Sequence, residues 1–394
     1  EYIIHLFPHP SLMQNKIEIR RGLPSDFPRI TDLVAWSFRT HTPAHLRFED
    51  FDPATVNPSP EAMGYWRIAF LDGEMAGGLV LVPRRLRLEG AEFEYGCIGH
   101  VHCYPKYRHA GIFQSLMNRA IADMDADGIP LSYLSGDRLR YGNYGWEHGG
   151  TYRMLCLEPA LMRFSKWNPE PSVLDFREYL GDEKDTLRIK AARESAASAP
   201  LHDTAEEVRQ LFIKPGRVTY LYDTDGSFAY AVLSNRDILE YGGDVGGVEK
   251  IVRCVLQTGS INAYLPPPEC NGPLERMLDQ YAQYFKNDKT QMVRVNDLVK
   301  TLQAFTPWLE ERLQGWEGRI VIAAEGTEHA AIAGDGSHVN VTRTDDEPDL
   351  AVSRRKLVSL LFGSCLPDEV AHDRNQFWRR AFPLPITWPP MEHC

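Results

Sequence analysis

Two histidines, a basic glycine-containing loop and a phenol fall within residues 96 to 146, GCIGHVHCYPKYRHAGIFQSLMNRAIADMDADGIPLSYLSGDRLRYGNYGW. At the two-residue period of a strand, His100 and His102 share the face opposite Val101. Either suits acceptance of a proton, directly or through water, or a hydrogen-bonded structural role. Arg108, His109, Ala110, Gly111 and Ile112 precede and open a helix. Helix starts present unpaired N–H groups and a partial positive charge, so these residues suit a pyrophosphate. Backbone N–H groups of Val101, His102 and Cys103, where a strand splays before Pro105, suit a carbonyl oxygen that gains charge during acyl transfer. Tyr141 offers a proton. A phenol of pKa roughly 10 can protonate a thiolate whose acid has one of roughly 8.5, if placed within hydrogen-bond reach.

The elements that must position these groups follow from local pattern. Val101, Cys103 and Tyr104 suit a strand that Pro105 ends by removing a donor. Ile112, Leu116, Ala120 and Met124 recur at four-residue spacing, with Phe113 and Met117 widening the stripe, and Gly128 stops the helix. Leu131 to Ser135 is a strand, and Asp137 and Arg138 sit in the loop before Tyr141, either ordering it or facing solvent. Upstream, residues 16 to 38 read as a strand and a helix. Residues 65 to 104 read as a meander with turns at Asp72-Gly73 and Glu89-Gly90. The sheet is expected to continue through Leu131 to Ser135 and Thr151 to Leu157.

From about 160 to 295 the order partly repeats. Arg217 to Tyr222 and Phe228 to Leu233 make a hairpin; Ile238 to Tyr241, a GGDVGG segment, a helix (Val248 to Leu256), a strand (Ile261 to Leu265) and a helix (Leu274 to Phe285) follow. GGDVGG reads as a second phosphate cradle or as a tight turn. It lacks the arginine of the first copy and Asp244 repels phosphate, so one cofactor site per chain is expected. The last hundred residues change character: MVRVNDLVKTLQAFTPWLEERL runs from strand into amphipathic helix, glycine-punctuated strands follow, and the apolar face of Leu357 to Phe362 precedes a proline-rich tail.

The central stretch resembles the GNAT acetyltransferases, whose V-x-V-x-P-x-x-R-x-x-G-x-G/A stands here as Val101-x-Cys103-x-Pro105-x-x-Arg108-x-x-Gly111-x-Phe113. Their Y-x-x-x-G-F stands as Tyr141-x-x-x-Gly145-Trp146. Phe113 departs from the usual small residue. The last hundred residues resemble a sterol-carrier-protein fold, and the three parts in order resemble the enhanced intracellular survival (Eis) family. The resemblance implies an α+β fold: a GNAT domain with a mostly antiparallel sheet flanked by helices (15–160, after an extension 1–14), a degenerate GNAT-like domain (161–295) and a sterol-carrier-like domain with a tail (296–394). It implies acetyl-CoA as co-substrate, without a metal, and a primary amine as acceptor: an aminoglycoside, a polyamine, or a lysine or peptide amine. Tyr141 would be the general acid, with Tyr144 in the core. A helix bordering the acceptor pocket would offer Asp26, Asp32, Trp36 and Phe38. The C-terminal carboxylate, here on Cys394, would be the base, with His102 as the alternative. A homo-oligomer, in several members a hexamer, is the family's tendency.

The 394 residues allow two to three domains, and the net charge of −11 argues against nucleic acid. Seven cysteines without paired metal spacing suit a reduced, cytoplasmic protein. No apolar run approaches membrane-helix length, and the first dozen residues lack a basic start, so neither membrane nor signal peptide is expected. Walker, G-x-S-x-G and HExxH motifs are absent, which leaves hydrolytic and zinc chemistry unsupported. The competing class is a lipid- or hydrophobe-binding protein that works through its C-terminal domain, with a vestigial acyltransferase domain.

Overall fold

The computed structural model describes residues 16–392 apart from 41–46, 89, 151, 165–175, 197, 225, 267–271, 289–290, 364–365 and 372–375. In the first unit, β1 (Ile17–Arg21), α1 (Phe27–Phe38), α2 (Phe48–Phe51) and α3 (Pro60–Gly64) lead into a meander of β2 (Trp66–Leu71), β3 (Glu74–Leu88) and β4 (Ala91–Cys103). Then come α4 (Ile112–Asp127), β5 (Leu131–Ser135), α5 (Arg138–Tyr141) and β6 (Glu147–His148). Strand alternation covers both faces of the sheet. Leu79 and Leu81 join the core that holds Leu116, Met117 and Ala120 of α4, whereas Val80 and Val82 join that of Ile30 and Val34 of α1. A run such as GLVLV is therefore buried on both sides.

The second unit consists of β7 (Tyr152–Leu157), β8 (Phe176–Glu178), α6 (Glu183–Glu194), β9 (Ser198–Leu201), α7 (Ala205–Phe212), β10 (Arg217–Thr224), β11 (Ser227–Ser234), β12 (Asp237–Gly243), α8 (Val245–Leu256), β13 (Ile261–Leu265), α9 (Pro273–Asp279) and β14 (Ala282–Asp288). The repeat seen in the sequence is topological: α8 connects the parallel pair β12 and β13 as α4 connects β4 and β5. Two expectations are corrected. Residues 152–157 do not extend the first sheet but lie between β13 and β14 in the second, so a boundary at 160 falls after that sheet's first strand in sequence. The helix expected over Leu274 to Phe285 stops at Asp279, and Ala282–Asp288 is an edge strand on β7.

The first sheet receives a strand in return. β15 (Gln291–Val295), which follows β14, sits between β5 and β6, and β9 pairs with β3. Each of the two larger sheets thus takes strands from the far side of residue 160: β7 in the second sheet, β9 and β15 in the first. The third unit holds α10 (Leu298–Ala304), α11 (Thr306–Arg312), β16 (Glu317–Ala324), β17 (His329–Asp335), β18 (Val339–Thr344), β19 (Leu350–Val352), α12 (Arg354–Phe362), α13 (Asp368–Ala371) and α14 (Phe377–Ala381). The single helix expected after residue 297 breaks at Phe305, before Pro307. One apolar core runs from α1 through the first sheet into α10, α12 and the tail. In that tail Trp388 lies against Tyr133 and Tyr95, with ring centroids 4.7 and 4.8 Å away. No helix among the described residues is long and apolar enough to cross a membrane.

Candidate active site

β4 pairs with β5 only from Tyr95 to Cys97, while its pairing with β3 continues to Cys103. From Ile98 onward the two parallel strands diverge, and the edge of β4 facing β5 carries backbone groups with no ladder partner among the described residues. The divergence coincides with a bulge. Gly78 pairs with His102 and Val80 with Gly99, so His100 and Val101 together oppose Leu79. His100 takes a φ of 50°, uncommon outside glycine. The neighbouring strand must come close here: a Cβ on Gly77 would lie 2.5 Å from the His102 carbonyl oxygen.

Past Pro105 the loop is pinned to the start of β3, because Lys106 Nζ lies 2.7 Å from Glu74 Oε2 and the Tyr107 hydroxyl donates to the same oxygen. Arg108 and His109 are exposed. Gly111 is the N-cap of α4 with a φ of 83° and no side-chain cap, so the first-turn N–H groups are left for an anion. Nothing crowds Gly111, the nearest atom to an added Cβ being Ile17 Cδ1 at 3.7 Å; the left-handed backbone, not space, requires glycine there. These features fit the diphosphate and pantetheine arm of a coenzyme A thioester.

Tyr141 is held over the same helix. Asp137 caps α5, accepting from the Leu139 N–H at 2.9 Å. Arg138 donates to Glu147 at 2.5 and 2.8 Å. Arg355 of α12 reaches Glu147 from the other side at 2.5 Å. Burial pushes Glu147 up, but Arg138, the His148 N–H and Arg355 outweigh it and hold the carboxylate down at about 2. The Tyr141 ring is buried among Ile98, Ile112 and Leu134, 5.8 Å from the Phe113 ring, and burial raises its pKa. Phe113 thus props Tyr141 on one side and half-buried Tyr144, also at 5.8 Å, on the other.

On the opposite face lies an arrangement with no signal in local sequence. Both histidine rings rest against Trp66, whereas Val101 packs on the α4 side. His100 Nε2 is 2.7 Å from Asp52 Oδ2, and Lys214 Nζ, from beyond α7, is 2.7 Å from Asp52 Oδ1. The Thr55 hydroxyl donates to Asp52 at 2.5 Å. Asp52 is 2 % exposed. Burial alone would raise its pKa, yet Lys214 and then His100 hold it well below the usual carboxylate range. His102 Nδ1 faces the His100 carbonyl at 2.8 Å. A carbonyl only accepts, so Nδ1 carries the proton and Nε2 the lone pair. Burial pushes the His102 pKa down to about 4, which keeps the ring neutral.

The remaining expected residues divide. Trp36 lies 5.7 Å from Tyr104 and Phe38 6.1 Å from His100, ring to ring, which places the end of α1 beside the bulge. Asp32 is exposed one turn before Trp36. Asp26 is committed elsewhere: it takes two hydrogen bonds from Arg20 at 2.6 and 2.8 Å and one from the Leu23 N–H at 2.8 Å. Arg20 accordingly lowers the Asp26 pKa. Cys394 lies outside the described residues. No cluster of metal-ligating side chains occurs among the described residues.

The glycine segment of the second unit is built differently. Asp244 caps α8 and accepts from the Gly247 N–H at 2.9 Å, filling the position that α4 leaves open. A Cβ on Gly243 would meet the Phe228 carbonyl oxygen at 2.2 Å, so this glycine serves strand packing.

Residues 18–149 match the family model described as an acetyltransferase (GNAT) domain. The fold extends beyond that segment. A GCN5-related N-acetyltransferase from Kribbella flavida is 16% identical with a TM-score of 0.64, covering 89% of this chain and 90% of its own. Eis1 from Mycobacterium abscessus is also 16% identical with a TM-score of 0.64, covering 93% and 96%. A probable N-acyltransferase from Enterococcus faecalis V583, titled a conserved protein of unknown function, is 14% identical with a TM-score of 0.67, covering 93% and 96%. No curated protein sequence matches this chain.

Proposed function

From the match of residues 18–149 to the GNAT acetyltransferase domain, we propose that the chain moves an acetyl group from acetyl-CoA to a primary amine of a small cationic molecule or a peptide. The amine attacks directly, in the cleft where β4 leaves β5. The observation that carries this reading is the coincidence of that divergence with an uncapped helix start and a buried phenol. Acetyl-CoA supplies the thioester. Arg108 and the N–H groups of His109, Gly111, Ile112 and Phe113 bind its phosphates, and main-chain N–H groups of Val101 to Cys103 steady the pantetheine arm and the thioester oxygen. One such donor contributes about 3 kcal/mol to a developing oxyanion. Tyr141 holds its proton at neutral pH and delivers it to the departing sulfur.

For the amine proton, the hydrogen-bond pattern favours His100. Asp52 accepts from Nε2–H at 2.7 Å, which leaves Nδ1 with the lone pair. Lys214 keeps Asp52 ionised, so a proton gained at Nδ1 has a counter-charge on the far side of the ring. His102, held down at about 4, is a weak proton acceptor and instead fixes the bulge through the His100 carbonyl. Trp36, Phe38 and Tyr104 form the aromatic border on the acceptor side.

The test is a calorimetric titration with acetyl-CoA followed by thiol-release assays with a polyamine, an aminoglycoside and a lysine peptide. One acetyl-CoA per chain and amine-dependent release are expected. Binding with no release for any of the three classes would overturn the amine assignment.

A further inference from the structure

A half-open cavity of about 360 Å³ lies far from the cleft, lined by the end of β3, α6, the second sheet and the tail. Leu86 and Leu88 in its wall stand eight and ten residues along β3 from Gly78, about 25 Å or more at the rise of a strand. An apolar cavity of about 150 Å³ already accommodates benzene. The volume here is more than twice that.

Its chemistry is restrictive. Leu86, Leu88, Leu239, Leu265 and Leu274 supply apolar wall, with Pro389 and Pro390 of the tail across from them. The charged groups at one end are already paired. Arg193 gives hydrogen bonds to Glu240 at 2.7 and 2.8 Å and to Glu392 at 2.6 Å. Glu275 accepts from the Tyr241 hydroxyl at 3.1 Å and the Gly272 N–H at 2.8 Å. The one cation among the described wall residues, Arg193, is thus taken, and the carboxylates already accept hydrogen bonds, so a charged guest would bear its desolvation cost. Ser198, by contrast, is a residue of the wall whose buried hydroxyl has no hydrogen-bond partner among the described residues.

We propose that this cavity binds an uncharged, largely apolar molecule of about two-ring size carrying one hydrogen-bonding group, which meets Ser198. The occupant also touches the tail at Thr387, Pro389 and Pro390, just before the buried Glu392 that anchors it to Arg193. Binding there therefore steadies the tail.

2-Naphthol has the required size, neutrality and single hydroxyl. Titrated calorimetrically into the full chain, it binds once per chain with a sub-millimolar dissociation constant. Val245→Trp, which fills the cavity from the start of α8, weakens that binding at least tenfold, with the melting temperature confirming that the variant is folded. Hydrogen exchange of residues 384–392 slows in the presence of 2-naphthol. No binding to the unaltered protein, equal affinity in Val245→Trp, or unchanged tail exchange overturns the proposal. If Val245→Trp does not fold, Ser198→Ala decides: a threefold or greater loss supports the site and unchanged affinity removes it. No acetyl-CoA enters the assay, so failure here is separate from failure of the acetyl-transfer reading.

Discussion

Tyr141 owes its proposed role to its surroundings. Burial raises its pKa, so the hydroxyl is fully protonated at neutral pH, while each added unit makes the transfer to sulfur about 1.4 kcal/mol harder. Removing the hydroxyl should leave binding intact: Tyr141→Phe is expected to bind acetyl-CoA as the parent does and to turn over at least about tenfold more slowly. Equal turnover would take the acid role from this residue. His100→Gln is expected to lose on the order of a hundredfold in kcat/KM, and retention of the parent rate would remove His100 as proton acceptor.

His102 makes a different prediction. Its pKa is about 4 in the folded chain and near 6.5 when unfolded, so below pH 6.5 the unfolded chain binds the extra proton. Stability from the neutral ring is complete above 6.5 and is lost as pH falls towards 4, by about 3 kcal/mol. Denaturant titrations at pH 7.5 and 4.5 should show a smaller loss in His102→Gln than in the parent. At this scale Tyr141, Arg108 and Gly111 were legible because their spacing is local. Asp52, Thr55 and Lys214 were not, since only tertiary folding brings residues 52, 100 and 214 together.

The two glycine-bearing helix starts show what a cap decides. In α4 the cap is Gly111, whose left-handed backbone points N–H groups outward and offers them no oxygen; in α8 it is Asp244, whose carboxylate answers them internally. Gly111→Ala is expected to raise the KM for acetyl-CoA, since a left-handed alanine costs about 1–2 kcal/mol. Asp244→Ala is expected to lower stability by about 1 kcal/mol and leave the stoichiometry at one acetyl-CoA per chain. A second binding event in Asp244→Ala would show that only the capping carboxylate kept that site closed.

Elements built on local periodicity, such as α1, α4 and the β2–β4 meander, were readable. β14 was not. Leu274, Met277, Leu278 and Tyr281 keep helical spacing, and only pairing with the distant β7 makes Ala282–Asp288 extended. The exposure of Tyr284 (49 %) and Phe285 (58 %) follows from that edge position.

The three units are not modules on a string. β7, before residue 160, belongs to the second sheet, and β15, well after it, completes the first; Lys214 brings a second-unit charge to Asp52, and Arg355 of the third unit braces Glu147. Residues 1–160 and 161–394 expressed separately are therefore expected to lack a cooperative thermal transition that their co-expression restores. A sharp melt from 1–160 alone would mean that β15 is dispensable. The exchange escaped sequence reading because β7 and β15 look like ordinary next strands, and nothing within either records which sheet it joins.

That exchange sets a clock on synthesis. A ribosome that has released the whole first unit has still not made the strand that seals its sheet, which arrives only with residue 295. Until then the first unit waits with an open seam between β5 and β6, so the nascent chain completes that sheet late.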